Sequence, residues 1–384
     1  MLMANRSCDA LIVGGGPAGS TCARELVRAG LDVVVMDKQE FPRDKVCAGW
    51  ITPPVLRALG LDPAEYAQGR VMQPIRGFRT GIIGAEADVE TRYDAPASFG
   101  IRRCEFDTYL LQRAGARLRL GEPLKALERD GRDWLVNGEI RTPLVVGAGG
   151  HFCPVARKLG GKSAPAESVV AAQEIEFRLP EQVRSAYRVD DEVVQFHFCP
   201  DFQGYGWCFA KGGYLNIGLG REDPRRLPEH VDAYCSWLRR RGVIPGDLPG
   251  KFNGHAYLLY AQSRRPLVTD GALLIGDAAG LAYSRSGEGI RPAVESGLLA
   301  AAVVVAAAGD YRQGCLAPYA RRMTARFGER RRAEEQAFWL PQEIRQPLAA
   351  ALLATRWFVR HIVVDRWFLH AQQEPIAAAA RQAA

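Results

Sequence analysis

The chain has 384 residues, 47% of them hydrophobic and 24% charged, with a formal net charge of +7. That length supplies a large core and suggests two domains, or one large domain with an insertion. The positive balance suits an anionic ligand such as a dinucleotide or diphosphate, or an acidic membrane surface; no basic run is interleaved with aromatics, which argues against nucleic acid.

Residues 8–37 read CDALIVGGGPAGSTCARELVRAGLDVVVMD. The apolar run Ala10 to Val13 predicts a buried strand that enters Gly14-Gly15-Gly16-Pro17-Ala18-Gly19, a G-x-G-x-x-G match. A helical pattern follows, with Cys22, Leu26 and Val27 on one face and Gly30 as its stop; a second buried strand, Val33 to Met36, ends in Asp37. Strand, glycine triplet, helix, strand and acid in that order form a dinucleotide-binding βαβ unit. Gly14 permits the tight turn, Gly16 lets a pyrophosphate approach the backbone, and Gly19 lets helix and strand pack closely. The helix N-terminus offers free N–H groups and a positive dipole end. Asp37 stands where a ribose hydroxyl is recognised.

A loop, FPRDKVCAGWITPP, is expected at 41–54. In it Cys47 has Lys45 two residues away and Arg43 four, and nearby cations favour a thiolate. The block IRRCEFDTYLLQRA (101–114) reads as a turn into an amphipathic helix, followed by short strands up to LVVGAGG at 144–150. Gly147-Ala148-Gly149-Gly150 lacks a third glycine and an obvious helix, so the chain carries one dinucleotide fingerprint and no dedicated NADPH domain. From about 165 to 261 period-2 strands dominate, among them EVVQFHF (192–198) and YLNIGLG (214–220). Tyr205 and Trp207 share one strand face and are candidates to line an apolar cavity, whereas His197 and His255 read as satisfied structural residues. The α/β pattern returns with the strand ALLIGDAAG (272–280) and a glycine turn into a helix, apolar all round, that runs to about 308. The nucleotide domain is therefore discontinuous.

The tail segment ATRWFVRHIVVDRWFLHA (354–371) alternates Trp357, Phe358, Ile362, Trp367, Phe368 and Leu369 with Arg356, Arg360, Asp365 and Arg366. Such a basic amphipathic helix lies on a membrane or caps a core. Nine cysteines form no C-x-x-C pair and no metal spacing, which predicts reduced thiols, a cytosolic protein and no metal. The start MLMANRSCDA has no apolar h-region, and no window spans a bilayer, so neither a signal peptide nor a transmembrane segment is expected.

GDAAG (276–280) followed by SGEGI (286–290) resembles the second FAD fingerprint of the two-domain flavoprotein hydroxylases, and Arg103-x-x-Phe106-Asp107 with Leu110 resembles their flavin-contact segment. Lys45-x-Cys47, Gly204-Tyr205-Gly206-Trp207-Cys208-Phe209-Ala210-Lys211-Gly212 and Gly287-Glu288-Gly289-Ile290 are similar to segments of the geranylgeranyl reductase family. The resemblance covers roughly residues 5–325. It implies a discontinuous Rossmann-type FAD-binding domain (1–75, 95–164 and 262–330), a β-rich substrate domain (76–94 and 165–261) and a C-terminal helical region (331–384).

The resemblance further implies FAD contacts at Gly14, Gly16, Pro17, Ala18, Gly19, Asp37, Lys38, Lys45, Cys47, Ala48, Arg103, Asp277, Gly287, Gly289 and Ile290; the expected reacting-site roles of Cys47, as a proton donor, and of Tyr205 and Trp207, as cavity lining, rest on the thiol's cationic neighbours and on the shared strand face. Asp277, at a strand's carboxyl end, can accept from a ribityl hydroxyl. The turn before Ile290 directs N–H groups to where negative charge develops on a reduced flavin.

The expected activity is reduction of a C=C bond in a prenyl-type or other hydrophobic substrate. Its electrons come from transiently bound NADPH, an electron-donor protein or another carrier. Three departures stand out. Gly147-Ala148-Gly149-Gly150 lacks the acid that related hydroxylases carry there. Ala210 replaces a proline of the family's W-x-F-P-K-G. Ser284-Arg285-Ser286 replaces its Pro-x-Thr. An FAD-dependent monooxygenase or halogenase of the same fold is the alternative, with only a partial W-x-W-x-I-P match at 205–210. A non-catalytic, redox-sensing FAD protein is the third reading.

Overall fold

The computed structural model describes residues 7–160, 169–184, 186–330 and 342–376. A six-stranded sheet has the spatial order 268–269, 272–274, 145–147, 10–13, 33–37, 117–120. All its pairings are parallel except that of Val268–Thr269 with Ala272–Leu274. Its central strands read ALIV and VVVMD because a parallel sheet is covered on both faces and selects continuous β-branched runs. Helix Pro17–Arg28 packs on helix Ile290–Ala306. The approach is so close that a Cβ at Gly297 would stand 2.7 Å from the Ala18 carbonyl oxygen. The α/β class with a Rossmann-type sheet is as expected.

A seven-stranded sheet, ordered 253–258, 169–178, 214–221, 204–211, 193–198, 77–82, 89–92, forms the second layer. It is antiparallel apart from the pairing of Val193–Phe198 with Gly77–Ile82. Alternation sorts its residues to two faces. Cys208, Leu215, Ile217, Leu219, Ile175 and Phe177 pack under helix Leu227–Arg240. Trp207, Phe209, Phe196, Val194, Phe78 and Ala172 face the other way.

Two details depart from the sequence reading. The 41–54 segment is not loop throughout, for Trp50–Ile51 forms a strand against Ser98–Ile101, and Pro53 opens a short helix. A helix, Pro154–Gly160, does follow Gly147–Gly150; its proline supplies the start that a glycine count does not reveal. Within the tail segment 354–371, Arg356–Phe368 is one helix, π-helical from Val359, and it follows helix Gln342–Leu353 across a sharp bend. Val359, Val363, Val364 and Phe368 are buried against the sheet, so this helix covers a core face. Residues 331–341 and 377–384 of the expected C-terminal region lie outside the described residues.

Candidate functional site

The carboxyl edge of the six-stranded sheet carries the glycine turn. Gly14 has φ +115°, and a Cβ there would lie 2.4 Å from the Ala148 oxygen; a Cβ at Gly19 would lie 1.9 Å from the Gly14 oxygen. The 147–149 segment is thus the packing partner of the turn, and Ala148 N–H donates to the Val13 carbonyl at 2.8 Å. Gly16 differs, because a Cβ there would meet only the Arg43 guanidinium, at 3.6 Å. The backbone at Gly16 therefore faces open space with a cation beside it, as a pyrophosphate requires. Gly16 is also the N-cap of helix Pro17–Arg28 and supplies no side-chain cap. Asp37 accepts from the Gly15 N–H at 2.8 Å and the Gln39 N–H at 3.0 Å, which fixes its carboxylate at the strand end. Lys38 follows it in an exposed bend.

Across the cradle, Gly287 adopts φ +66°, and Gly289 is an N-cap without a capping side chain for helix Ile290–Ala306. A Cβ on Gly289 would stand 3.2 Å from Asp277 Oδ1, so the two halves of the second fingerprint adjoin. Two uncapped helix starts and a fixed acid are what a molecule with a pyrophosphate, a ribityl chain and an anion-forming ring needs, and FAD fits them. Arg103 is buried and makes two 2.8 Å hydrogen bonds to Asp107, which Arg43 approaches at 3.4 Å. Asp107 lifts the Arg103 guanidinium above its ordinary range, overcoming burial, and Cys47 adds to the effect through a hydrogen bond.

The loop bearing Lys45, Cys47 and Ala48 is fastened to the second sheet by three of its side chains. Lys45 Nζ lies 2.8 Å from His255 Nε2, and that nitrogen is 3.8 Å from Asp277 Oδ2. Burial draws the Lys45 ammonium down to about 8, against the opposing pull of Asp277. Burial would raise Asp277, but His255 and Lys45 outweigh it and hold the carboxyl below its ordinary range. Cys47 N–H donates to Glu174. Lys211 donates to the Ala48 carbonyl at 2.6 Å, the Ile101 carbonyl at 2.9 Å and Glu176 at 2.7 Å. Asn216 bridges Glu174 (3.2 Å), Glu176 (3.1 Å) and the Trp207 indole N–H (2.7 Å). Burial pushes the Glu174 carboxyl up to about 7 in spite of Lys211. Glu176 stays below its ordinary range, because Lys211 and Arg102 overcome its burial.

Tyr205 and Trp207 do share a face, with ring centroids 6.2 Å apart. The Tyr205 hydroxyl donates to the Ser286 carbonyl, tying the sheet to the turn before Ile290. Phe368 of the C-terminal helix stacks on Phe196 at 4.4 Å and meets Tyr205 edge-on at 5.3 Å. Of the two cations expected beside Cys47, Arg43 turns to Asp107 and Lys45 to His255, while Arg103 takes the place next to the thiol.

Residues 7–327 match the model of a family described as FAD binding domain. The chain belongs to this family. It is an FAD-dependent oxidoreductase. The flavoprotein is 32% identical over 321 residues to menaquinone reductase of Mycobacterium tuberculosis, covering 77% of this chain and 76% of that protein. It is 27% identical over 349 residues to digeranylgeranylglycerophospholipid reductase 3 of Methanosphaera stadtmanae, covering 85% and 84%. A geranylgeranyl bacteriochlorophyll reductase-like protein from Thermoplasma acidophilum superposes with a TM-score of 0.73 at 21% identity over 91% of this chain and 88% of that one; this last likeness is one of fold. The relatives fall where the resemblance to geranylgeranyl reductases pointed.

The structure of this flavoprotein brings Lys45, Cys47, Ala48, Arg103 and Asp277 together with residues that the sequence did not single out. Glu174 and Asn216 are read only from strand register, and Lys211, although part of the family-like segment 204–212, carries no role in the sequence reading. His255, expected to be structural, joins Lys45 and Asp277, whereas His197 is buried among Tyr234, Trp237 and Asp88, away from this cluster. The alternating pattern of 169–178 placed Glu174 and Glu176 on one strand face, a signal that two acids in a half-buried strand have a buried task.

Proposed function

We propose that this flavoprotein saturates a C=C bond of a prenyl-type or other hydrophobic substrate. The observation that carries the reading is the Cys47 loop, pinned by His255, Glu174 and Lys211 to the aromatic side of the second sheet. The Cys47 thiol and the buried Arg103 guanidinium then share one place, and Ala48 beside them packs on the aromatic rings. Identity to two reductases whose names specify prenyl-bearing molecules supports it. Gly14, Gly16, Pro17, Ala18 and Gly19 would hold the pyrophosphate of FAD, Asp37 with Lys38 the adenosine ribose, and Asp277 the ribityl chain. Gly287, Gly289 and Ile290 would hold the pyrimidine edge, with Lys45, Ala48 and Arg103 near the ring. FAD, when held there, would supply the hydride chemistry, with electrons drawn from transient NADPH, a donor protein or another carrier.

Saturation needs a hydride on one carbon and a proton on the other. Cys47 gives the proton from Sγ, and Arg103 stabilises the thiolate left behind. Gly49 N–H, 3.4 Å from the same sulfur, assists. Tyr205 and Trp207 orient the chain of the substrate and exclude water from it.

Anaerobic photoreduction of the yellow protein, followed by mixing with a panel of geranylgeranyl lipids, diphosphates and prenyl quinones, tests this. Flavin reoxidation without oxygen, and products carrying one added H2 per reduced bond, are expected. Reoxidation only after air is admitted, with one oxygen atom gained by the product, would overturn the reading in favour of a monooxygenase.

A further inference from the structure

The C-terminal helix pair has two sides with different fates. Inward, Leu353, Val359, Val363, Val364 and Phe368 are buried over the aromatic face of the second sheet, so the pair is held by packing of its own. Outward, Ile344, Leu348 and Leu352 recur every four residues along helix Gln342–Leu353 and remain 55%, 49% and 37% exposed. Trp357, just past the bend, is 63% exposed. A stripe of this kind is an interaction surface rather than scatter.

Which partner it fits follows from its chemistry. Exposed Arg356 and Arg366 sit on the same helix pair against exposed Glu343, and exposed Arg285 lies over the ring of Trp367 at 5.7 Å. Exposed arginines, an exposed tryptophan just past the bend and an aliphatic stripe match the headgroup and acyl layers of a bilayer. Among the described residues no single helix is long and apolar enough to cross a membrane; Glu343–Leu353 with Arg356–Phe368 reach that composition only together, across an 87° bend. A bent pair buried on its inner side lies in an interface instead of spanning it. A second copy of the chain is a poorer occupant. The four side chains expose on the order of a few hundred Å², short of the roughly 800 Å² per partner that a stable dimer buries.

We propose that Ile344, Leu348, Leu352 and Trp357 dock this protein on an anionic bilayer, with Arg285, Arg356 and Arg366 meeting the headgroups. The proposal stands whether or not the substrate is a prenyl lipid. If it is, docking places the bilayer against the helix that covers the aromatic face.

The test is cosedimentation of the FAD-loaded protein with vesicles of phosphatidylcholine alone and of phosphatidylcholine mixed with phosphatidylglycerol. Binding to the mixed vesicles, weakened by salt, is expected. The double variant Ile344→Asp/Leu348→Asp should partition about tenfold less while keeping its FAD and its melting temperature. Should that variant lose FAD, Trp357→Ser is read in the same assay and should still partition several-fold less. Wild-type protein that ignores both vesicles, or variants that bind as wild type does, would overturn the proposal. So would light scattering that finds a dimer abolished by the double variant, since the stripe would then belong to a second copy.

Discussion

The two faces of the seven-stranded sheet obey the same alternation yet are built on different principles. Under helix Leu227–Arg240 the sheet presents Ile175, Phe177, Cys208, Leu215, Ile217 and Leu219, a mainly apolar layer that also holds the buried Gln195 and His197, the latter met by Asp88 and Tyr234. The opposite face mixes aromatic rings with Glu174, Glu176, Lys211 and Asn216, all drawn into one hydrogen-bonded cluster. Burying carboxylates and an ammonium gives little or no net stability over well-packed apolar side chains. What the polar face gains is a fixed position for the 45–48 loop.

The contrast breaks most visibly at Lys211. Lys211→Met should remove about 3 kcal/mol of stability, leaving the Ala48 and Ile101 carbonyls without their buried donor and Glu176 with Arg102 and Asn216 in place of a direct cation from the sheet, whereas Ile217→Val on the other face should cost only about 1 kcal/mol. Urea unfolding of both variants measures the difference; equal losses would mean that the polar cluster is ordinary packing.

Glu174 offers a pH test of nearly the same size. Its folded value, about 7, lies above the 4.5 ordinary for a glutamate. The folded protein therefore binds this proton more tightly than the unfolded chain does. The stabilising contribution is complete below about 4.5 and is lost as pH rises through 7. At about 1.4 kcal/mol per unit the loss amounts to about 3.5 kcal/mol. Glu174→Gln, which still accepts from Cys47 N–H, should flatten that part of the stability–pH curve. An unchanged curve would remove Glu174 from the account.

The smallest effect separates two thiols. Cys47→Ser should retain FAD and melting temperature but slow flavin reoxidation by substrate about fivefold or more, equivalent to about 1 kcal/mol. Cys208→Ala, on the structural face, should cost about 1 kcal/mol of stability and leave that rate alone. A Cys47→Ser protein that turns over at the wild-type rate would end the proton-donor role.

Local pattern alone made much of this molecule legible. The strand–glycine–helix–strand–acid order of 8–37, the helix opened by Gly289 and the period-2 strands of the second sheet were all readable, because each depends on near neighbours and on a fixed spacing. Tyr205 and Trp207 share a face for the same reason: two residues apart in a strand is one face. Tertiary structure decided the rest. No spacing links Cys47 to Glu174, Lys45 to His255 or Lys211 to Ala48, since such contacts join strands and loops far apart in the chain. Nor did the tail's basic, apolar pattern say which side it buries. Val359, Val363 and Phe368 lie inward because the aromatic face of the sheet needed a cover. Ile344, Leu348 and Trp357 were left outward by an 87° bend that no local periodicity encodes.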